Sequence, residues 1–227
     1  MANAVKKVNG IAIADIKNIN TITDTNLKKL NTLEFTGVTD AHTLISTPYD
    51  FDVHGNVDEV TITSGIDGTY DVYEFIFTNI HPQTDDKDFE FQVNAHDGSS
   101  QLTGFNETIT STFFATWHDE GDSSTHLGYR TAEDQAEGNA YQTLYDRVDS
   151  ANDAATSGIL TLYDPSSTTY VKHFVSRLNG LHADSYTMEC HAAGYINTTN
   201  AITQIDFKFE SGEIQGGEIK MYGLAKS

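Results

Sequence analysis

From Glu34 onward, nine stretches alternate apolar and polar residues with a period of two, which is the pattern of strands that bury one face and wet the other. They are Val60–Ser64, Tyr70–Asn79, Asp88–His96, Thr108–His118, Gly158–Tyr163, Tyr170–Arg177, Tyr186–Ile196, Ala201–Phe209 and Glu213–Tyr222. Turn-forming clusters such as HDGSS and DPSST separate them at even spacing, which favours an antiparallel two-sheet architecture over a βαβ arrangement. The fold class this predicts for residues 34–227 is all-β, an antiparallel β-sandwich of jelly-roll-like type. The phase of the alternation assigns the core: Tyr73, Phe75 and Phe77 share one face, as do Phe89, Phe91 and Val93, and Ile205, Phe207 and Phe209. Val72, Glu74 and Ile76, on the opposite face, are mixed and expected to be only partly covered. The one helical candidate is Thr131–Asp149, where Ala132, Ala136, Ala140, Leu144 and Val148 stand four apart; an irregular excursion between strands is the alternative.

Residues 1–33 follow a different rhythm. Aliphatics recur with a period of eleven at Val8, Ile19 and Leu30, at Ile11, Ile22 and Leu33, and at Ile16 and Leu27. Asn-Gly, Asn-Thr and the β-branched residues disfavour a continuous helix, so short helical turns alternating with extended links are expected. Three such units cannot bury their aliphatic faces alone. The eight aliphatics therefore form the candidate anchoring or oligomer interface, with a trimer preferred, and packing on the chain's own body is the competing reading. Charge divides the chain at the same place. The formal total is -20; five lysines against two aspartates make residues 1–33 +3 and leave -23 for the rest. So acidic a body repels phosphate, which excludes nucleic acid and anionic membrane as partners. No apolar run approaches the roughly 18–20 residues that cross a bilayer. The single cysteine, Cys190, excludes an intrachain disulfide.

Several strings carry a resemblance. DVYEFIFTNIHPQTDDKDFEFQVN, ITSTFFATWHDE, GILTLYDPSSTTYVKHF and YINTTNAITQIDFKFESGEIQGGEIKMYGL together resemble a family of virion structural proteins of tailed bacteriophages, above all marine and cyanobacterial ones. The likeness is strongest in the last sixty residues. It implies a jelly-roll-like C-terminal domain on the particle surface and an N-terminal segment that mounts the protein on other virion proteins. The family includes tail fibres, head fibres and capsid decorations, and it carries no catalytic signature.

The residues themselves offer few chemical sites. His118, Asp119, Glu120 and Asp122 form the densest polar run and are the candidate ligands for Ca2+ or Mg2+. They lack the register of a dedicated calcium loop, which favours a solvated acidic loop, so no cofactor is expected. Glu189 and His191 share a strand face while Cys190 points the other way, so a zinc site of all three, helped by His173 or His182, would need a bulge; Cys190 reads as a buried small hydrophobe. Neither G-x-S-x-G, a P-loop nor H-E-x-x-H occurs, and the chain is expected not to be an enzyme. Tyrosines beside turns (Tyr49, Tyr70, Tyr129, Tyr141, Tyr145, Tyr163 and Tyr195) supply rings that stack on sugars, and Tyr129, Tyr141 and Tyr145 are the candidate glycan contacts, weighed against rings that cover the sandwich ends. The expectation is a virion structural protein on the particle surface: a tail or head fibre or adhesion component mounted through residues 1–33. A capsid decoration protein is the alternative and a glycan-binding or glycan-processing protein the third reading.

Overall fold

The computed structural model describes residues 7–8, 11–12 and 42–224. The chain divides into two units, Met1–Thr39 and Asp40–Ser227. In the first, β1 (Lys7–Val8) and β2 (Ile11–Ala12) pair antiparallel with Val8 opposite Ile11. The sequence between them is Asn9-Gly10, the dipeptide that favours two-residue hairpins. The first eleven-residue unit is thus extended, not helical, where it is described. Ile16, Ile19, Ile22, Leu27, Leu30 and Leu33, and the helical turns and anchoring interface expected of them, lie outside the described residues.

The second unit is an antiparallel sandwich. Its strands are β3 (His42–Asp50), β4 (Glu59–Ile62), β5 (Val72–Pro82), β6 (Lys87–His96), β7 (Ile109–Asp119), β8 (Thr125–Tyr129), β9 (Gln142–Val148), β10 (Thr156–Tyr163), β11 (Lys172–His182), β12 (Tyr186–Ile196), β13 (Ala201–Phe209) and β14 (Ile214–Leu224), with one helical turn, α1 (Phe51–His54), after β3. Eight strands run in the order β3-β14-β5-β10-β11-β12-β7-β8, and four in the order β9-β6-β13-β4. The two sheets meet where Val148 of β9 pairs with His182 of β11.

Phenylalanines fill the space between the sheets. Phe77 of β5 stands 5.2 Å from Phe89 of β6 and 5.1 Å from Phe207 of β13, ring centre to ring centre, and Phe91 of β6 lies 5.1 Å from Phe174 of β11. The T-shaped angles match the quadrupole preference of aromatic pairs. All nine residues assigned inward by phase are buried, and Val72, Glu74 and Ile76 are partly covered. Cys190 is also fully buried, among the apolar core side chains. Where β5 bends, Asn79 adopts φ 51° and faces Gly217 of β14 at φ 96°. A Cβ on Gly217 would sit 2.5 Å from the Thr78 carbonyl oxygen, so both its φ and the close approach require glycine.

Three strands differ from the sequence expectation. The helix expected over Thr131–Asp149 does not form: residues 130–141 are irregular and 142–148 are β9. A spacing of four satisfies a strand as well as a helix, and Thr143, Tyr145 and Val148 are β-formers that pair with β6. β3 is hidden in the sequence by Pro48 and by ladder shifts against β14 near Ser46 to Tyr49; as an edge strand it tolerates a residue with no N–H to donate. β8 is only five residues long and exposed nearly throughout.

Phe207 touches rings from both sheets, so its truncation leaves a cavity that neither sheet can close. Phe207→Ala is expected to cost about 3–5 kcal/mol, measured by urea denaturation of the chain.

Candidate functional site

The candidate metal ligands sit at the β7–β8 hairpin, where the loop engages its own carboxylates. Asp119 accepts hydrogen bonds from the Ser123 amide at 2.9 Å and the Ser123 hydroxyl at 2.7 Å, and from the Ser124 amide. These donors, the Ser123 side chain foremost, hold the Asp119 carboxyl below its usual range. His118 instead pairs with Asp122 at 3.1 Å. Among the described residues no three His, Cys, Asp or Glu side chains meet in an arrangement that would hold a metal. His118, Asp119, Glu120 and Asp122 do border an open groove of about 590 Å³, whose lining also includes Asp153 and the neutral polar side chains of Asn79, Ser157, Asn179 and Thr187. Glu189, Cys190 and His191 follow the strand parity with no bulge, so Cys190 is turned away from the other two. His182 is buried and stacked on Tyr186 at 4.1 Å; burial first, and then Arg147, lowers its pKa to about 4 and keeps it neutral.

The three candidate glycan tyrosines are not brought together. Tyr145 is fully buried in the core and unavailable to a ligand; on β9 its ring faces inward, where a position beside a helix or turn was expected. Tyr141 is engaged, its hydroxyl donating to Asp206 at 3.0 Å and its ring lying 4.0 Å beneath the Lys208 ammonium. Tyr129 is exposed, and its hydroxyl donates to Asp134. Of the other loop tyrosines Tyr49 is buried, Tyr70 packs against Tyr73, and Tyr163 and Tyr195 lie on the outer face of the eight-stranded sheet.

The outer faces of the two sheets are chemically unlike. The four-stranded sheet turns Glu59, Asp88, Glu90 and Asp206 outward near Lys208, and its strands also carry Lys87, paired with Glu210 at 3.2 Å, and Arg147. Beside it lies a cavity of about 530 Å³ bordered by Asp86, Asp88, Glu90, Asp146, Arg147 and Glu210, among others. Arg147 donates to Asp86 and, at 2.8 Å, to Asp184, while its amide donates to Asp88 at 2.9 Å. Burial, followed by the neighbouring Asp88, pushes the Glu90 carboxyl up to about 7; the same two causes push Asp146 up to about 7 against the pull of Arg130. Burial also raises Asp88.

On the eight-stranded sheet, strand register lines up outward residues across the strands. One row runs Tyr129, Phe114, His191, Arg177, Ile159 and Ile76; the next runs Ala193, Val175, Thr161, Glu74, Tyr222 and Leu44. His191 stacks flat on Phe114, with 4.6 Å between ring centres and 4° between planes. The strands turn out four carboxylates and two cations besides histidines: Glu189 pairs with Arg177, Glu218 with Lys220 at 2.6 Å and Glu74 with His42, while Asp50, opposite Glu218, accepts from the Asp52 amide. This face is the feature the sequence reading misses. Its signal is the pair Phe113-Phe114, since adjacent residues of a strand cannot both face the core.

No protein-family model, curated protein or solved structure matches the chain.

Carboxyls whose folded pKa lies above the unfolded value hold protons that the unfolded chain releases, so their contribution to stability is lost as pH rises through the window between the two. For Glu90 and Asp146 that window runs from about 4 to about 7. Thermal stability should therefore fall between pH 5 and pH 8, by on the order of 1 kcal/mol per carboxyl after allowance for solvent screening. Scanning calorimetry across this range checks it, and Glu90→Gln should flatten the slope.

Proposed function

We propose that the chain is a bacteriophage virion structural protein displayed on the particle surface, working by assembly rather than by catalysis. The observation that supports this reading best is the division of the body into two unlike faces. One is acidic, and a surface of one sign stays soluble when copies are crowded. The other is broad, carries six exposed large apolar side chains and pairs most of its few charges, as a contact surface between proteins does. The strings that resemble tailed-phage virion proteins supply most of strands β5, β6, β7, β10, β13 and β14 and the start of β11, so the resemblance falls on strands of both sheets.

Within this class the reading is a tail or head fibre or adhesion component, attached to other virion proteins through residues 1–33. A capsid decoration protein is the second reading, favoured by the breadth of the weakly charged sheet face, which suits close packing on a lattice. Host-glycan contact rests on Tyr129, the one exposed ring of the three proposed, and on the polar groove that Asn79, Ser157, Asn179 and Thr187 line together with Asp119, Glu120, Asp122 and Asp153.

Replacing Ile16, Ile19, Ile22 and Leu27 together by Asp should strip the protein from purified particles, quantified by mass spectrometry of the virion. Wild-type occupancy would overturn attachment through this segment. Copy number separates the two particle roles: lattice density marks decoration, and a small multiple of three or six marks a fibre.

A further inference from the structure

Nine large apolar side chains of the described residues stand exposed, and six of them, Leu44, Phe114, Leu127, Tyr129, Tyr163 and Val175, belong to the outer face of the eight-stranded sheet. We propose that this face is a self-association surface, through which two copies of the chain pack sheet against sheet about a twofold axis. The inference concerns the body alone and does not depend on the assignment to a particle.

Charge selects a second copy as the occupant. The chain carries -20 overall, yet the strands contribute to this face only Arg177 and Lys220 against Asp50, Glu74, Glu189 and Glu218, a formal sum of -2 with histidines neutral. A basic partner is drawn to the four-stranded side, where carboxylates outnumber cations. An acidic partner finds no free cation here, because Arg177 is engaged by Glu189 and Lys220 by Glu218. Two copies approaching through the four-stranded side repel one another, whereas through this face like-charge repulsion is much weaker. The face is thus the part of the body on which a second, strongly acidic copy can settle.

Size and shape agree. Eight strands about 4.8 Å apart span about 34 Å, and about 20 Å along the strands gives on the order of 700 Å². A stable interface buries about 800 Å² on each partner. A twofold contact uses the same patch on both copies, so the rows of Phe114 and Val175 can meet their own counterparts, beside the groove that Ser157, Asn179 and Thr187 line. Sheets packed in this way interdigitate side chains about 10 Å apart. Phe114 with its stacked His191, Leu127, Tyr129 and Val175 would supply the buried anchors, and the paired charges toward the β14 side the polar rim.

Sedimentation of the full chain over a wide concentration range should show association, with residues 1–33 free to add contacts of their own. Leu127→Glu and Val175→Glu place like charges on the twofold contact, and each should weaken the association about tenfold or more. Tyr170→Glu, exposed but off the face, should leave it unchanged. Circular dichroism verifies that the variants fold. Hydroxyl-radical footprinting of the unmodified chain gives a measure that needs no variant: oxidation of Phe114, Leu127 and Tyr129 should fall as concentration rises while that of Tyr170 stays constant. A single-chain mass at every concentration overturns the proposal, as it would if another protein were the natural occupant. So does association that the face variants leave unchanged, or footprints on the three residues that are independent of concentration.

Discussion

Interdigitated phenylalanine rings between the two sheets are the interaction on which the rest of the body depends. A single buried cysteine provides no cross-link among the described residues, so packing holds the sheets together. Each ring contributes on the order of 1.5–3 kcal/mol by leaving water. Phe77, Phe89 and Phe207 also lock the phase of β5, β6 and β13. A slip of one residue would expose all three rings and turn Glu74, Glu90 and Asp206 into the core, an exchange of apolar burial for uncompensated charge that no rearrangement nearby relieves.

The same phase sorts the charge. Once Phe89 and Phe91 point inward, Asp88 and Glu90 must point outward beside each other on one strand, and their neighbours Asp86, Asp146 and Glu210 gather around one cavity. Burial and the neighbouring Asp88 make ionisation of Glu90 and Asp146 costly, so these two hold protons into the neutral range, while the hydrogen bond from Arg147 draws Asp86 the other way. On the eight-stranded side the alternation delivers threonines, aliphatics and rings, with Arg177 and Lys220 each placed to meet a carboxylate. An acidic stretch of chain thereby becomes a body with one strongly charged and one weakly charged side. The proposed function and the pairing of copies both follow from that contrast.

Much of this is legible in the residues. Alternation reads true wherever a strand has one dry and one wet face: β12 and β13 run from Tyr186 to Ile196 and from Ala201 to Phe209, the bounds the pattern sets. It fails where a second constraint intrudes. β3 carries Pro48 and a ladder irregularity, β8 is too short for its period to show, and the four-residue spacing in Ala132 to Val148 is common to both regular structures. The candidate sites fare less well because a site is a meeting of distant segments. Adjacency makes His118, Asp119, Glu120 and Asp122 look like a cluster, but Ser123 and Ser124 engage Asp119 before any ion can. Tyr145 stands near a turn in sequence yet lies in the core once β9 pairs with β6. The weakly charged face is assembled from eight strands and has no local signature beyond Phe113-Phe114.

The position of β3 has a mechanical consequence. It is an edge strand, hydrogen-bonded on one side only, and its first residue, His42, pairs with Leu224 near the end of β14. A pull on the chain ahead of His42 therefore acts on the ladder from one end, and its hydrogen bonds face the load in sequence rather than together. Such peeling yields at far lower force than shear of the same strand. The irregularity between Ser46 and Tyr49 interrupts the ladder partway along, where Pro48 offers no N–H, so the first part of the strand can release while the rest of β3 and the phenylalanine core stay in place. A body tethered through that end would give way at its edge under load before it gave way at its centre.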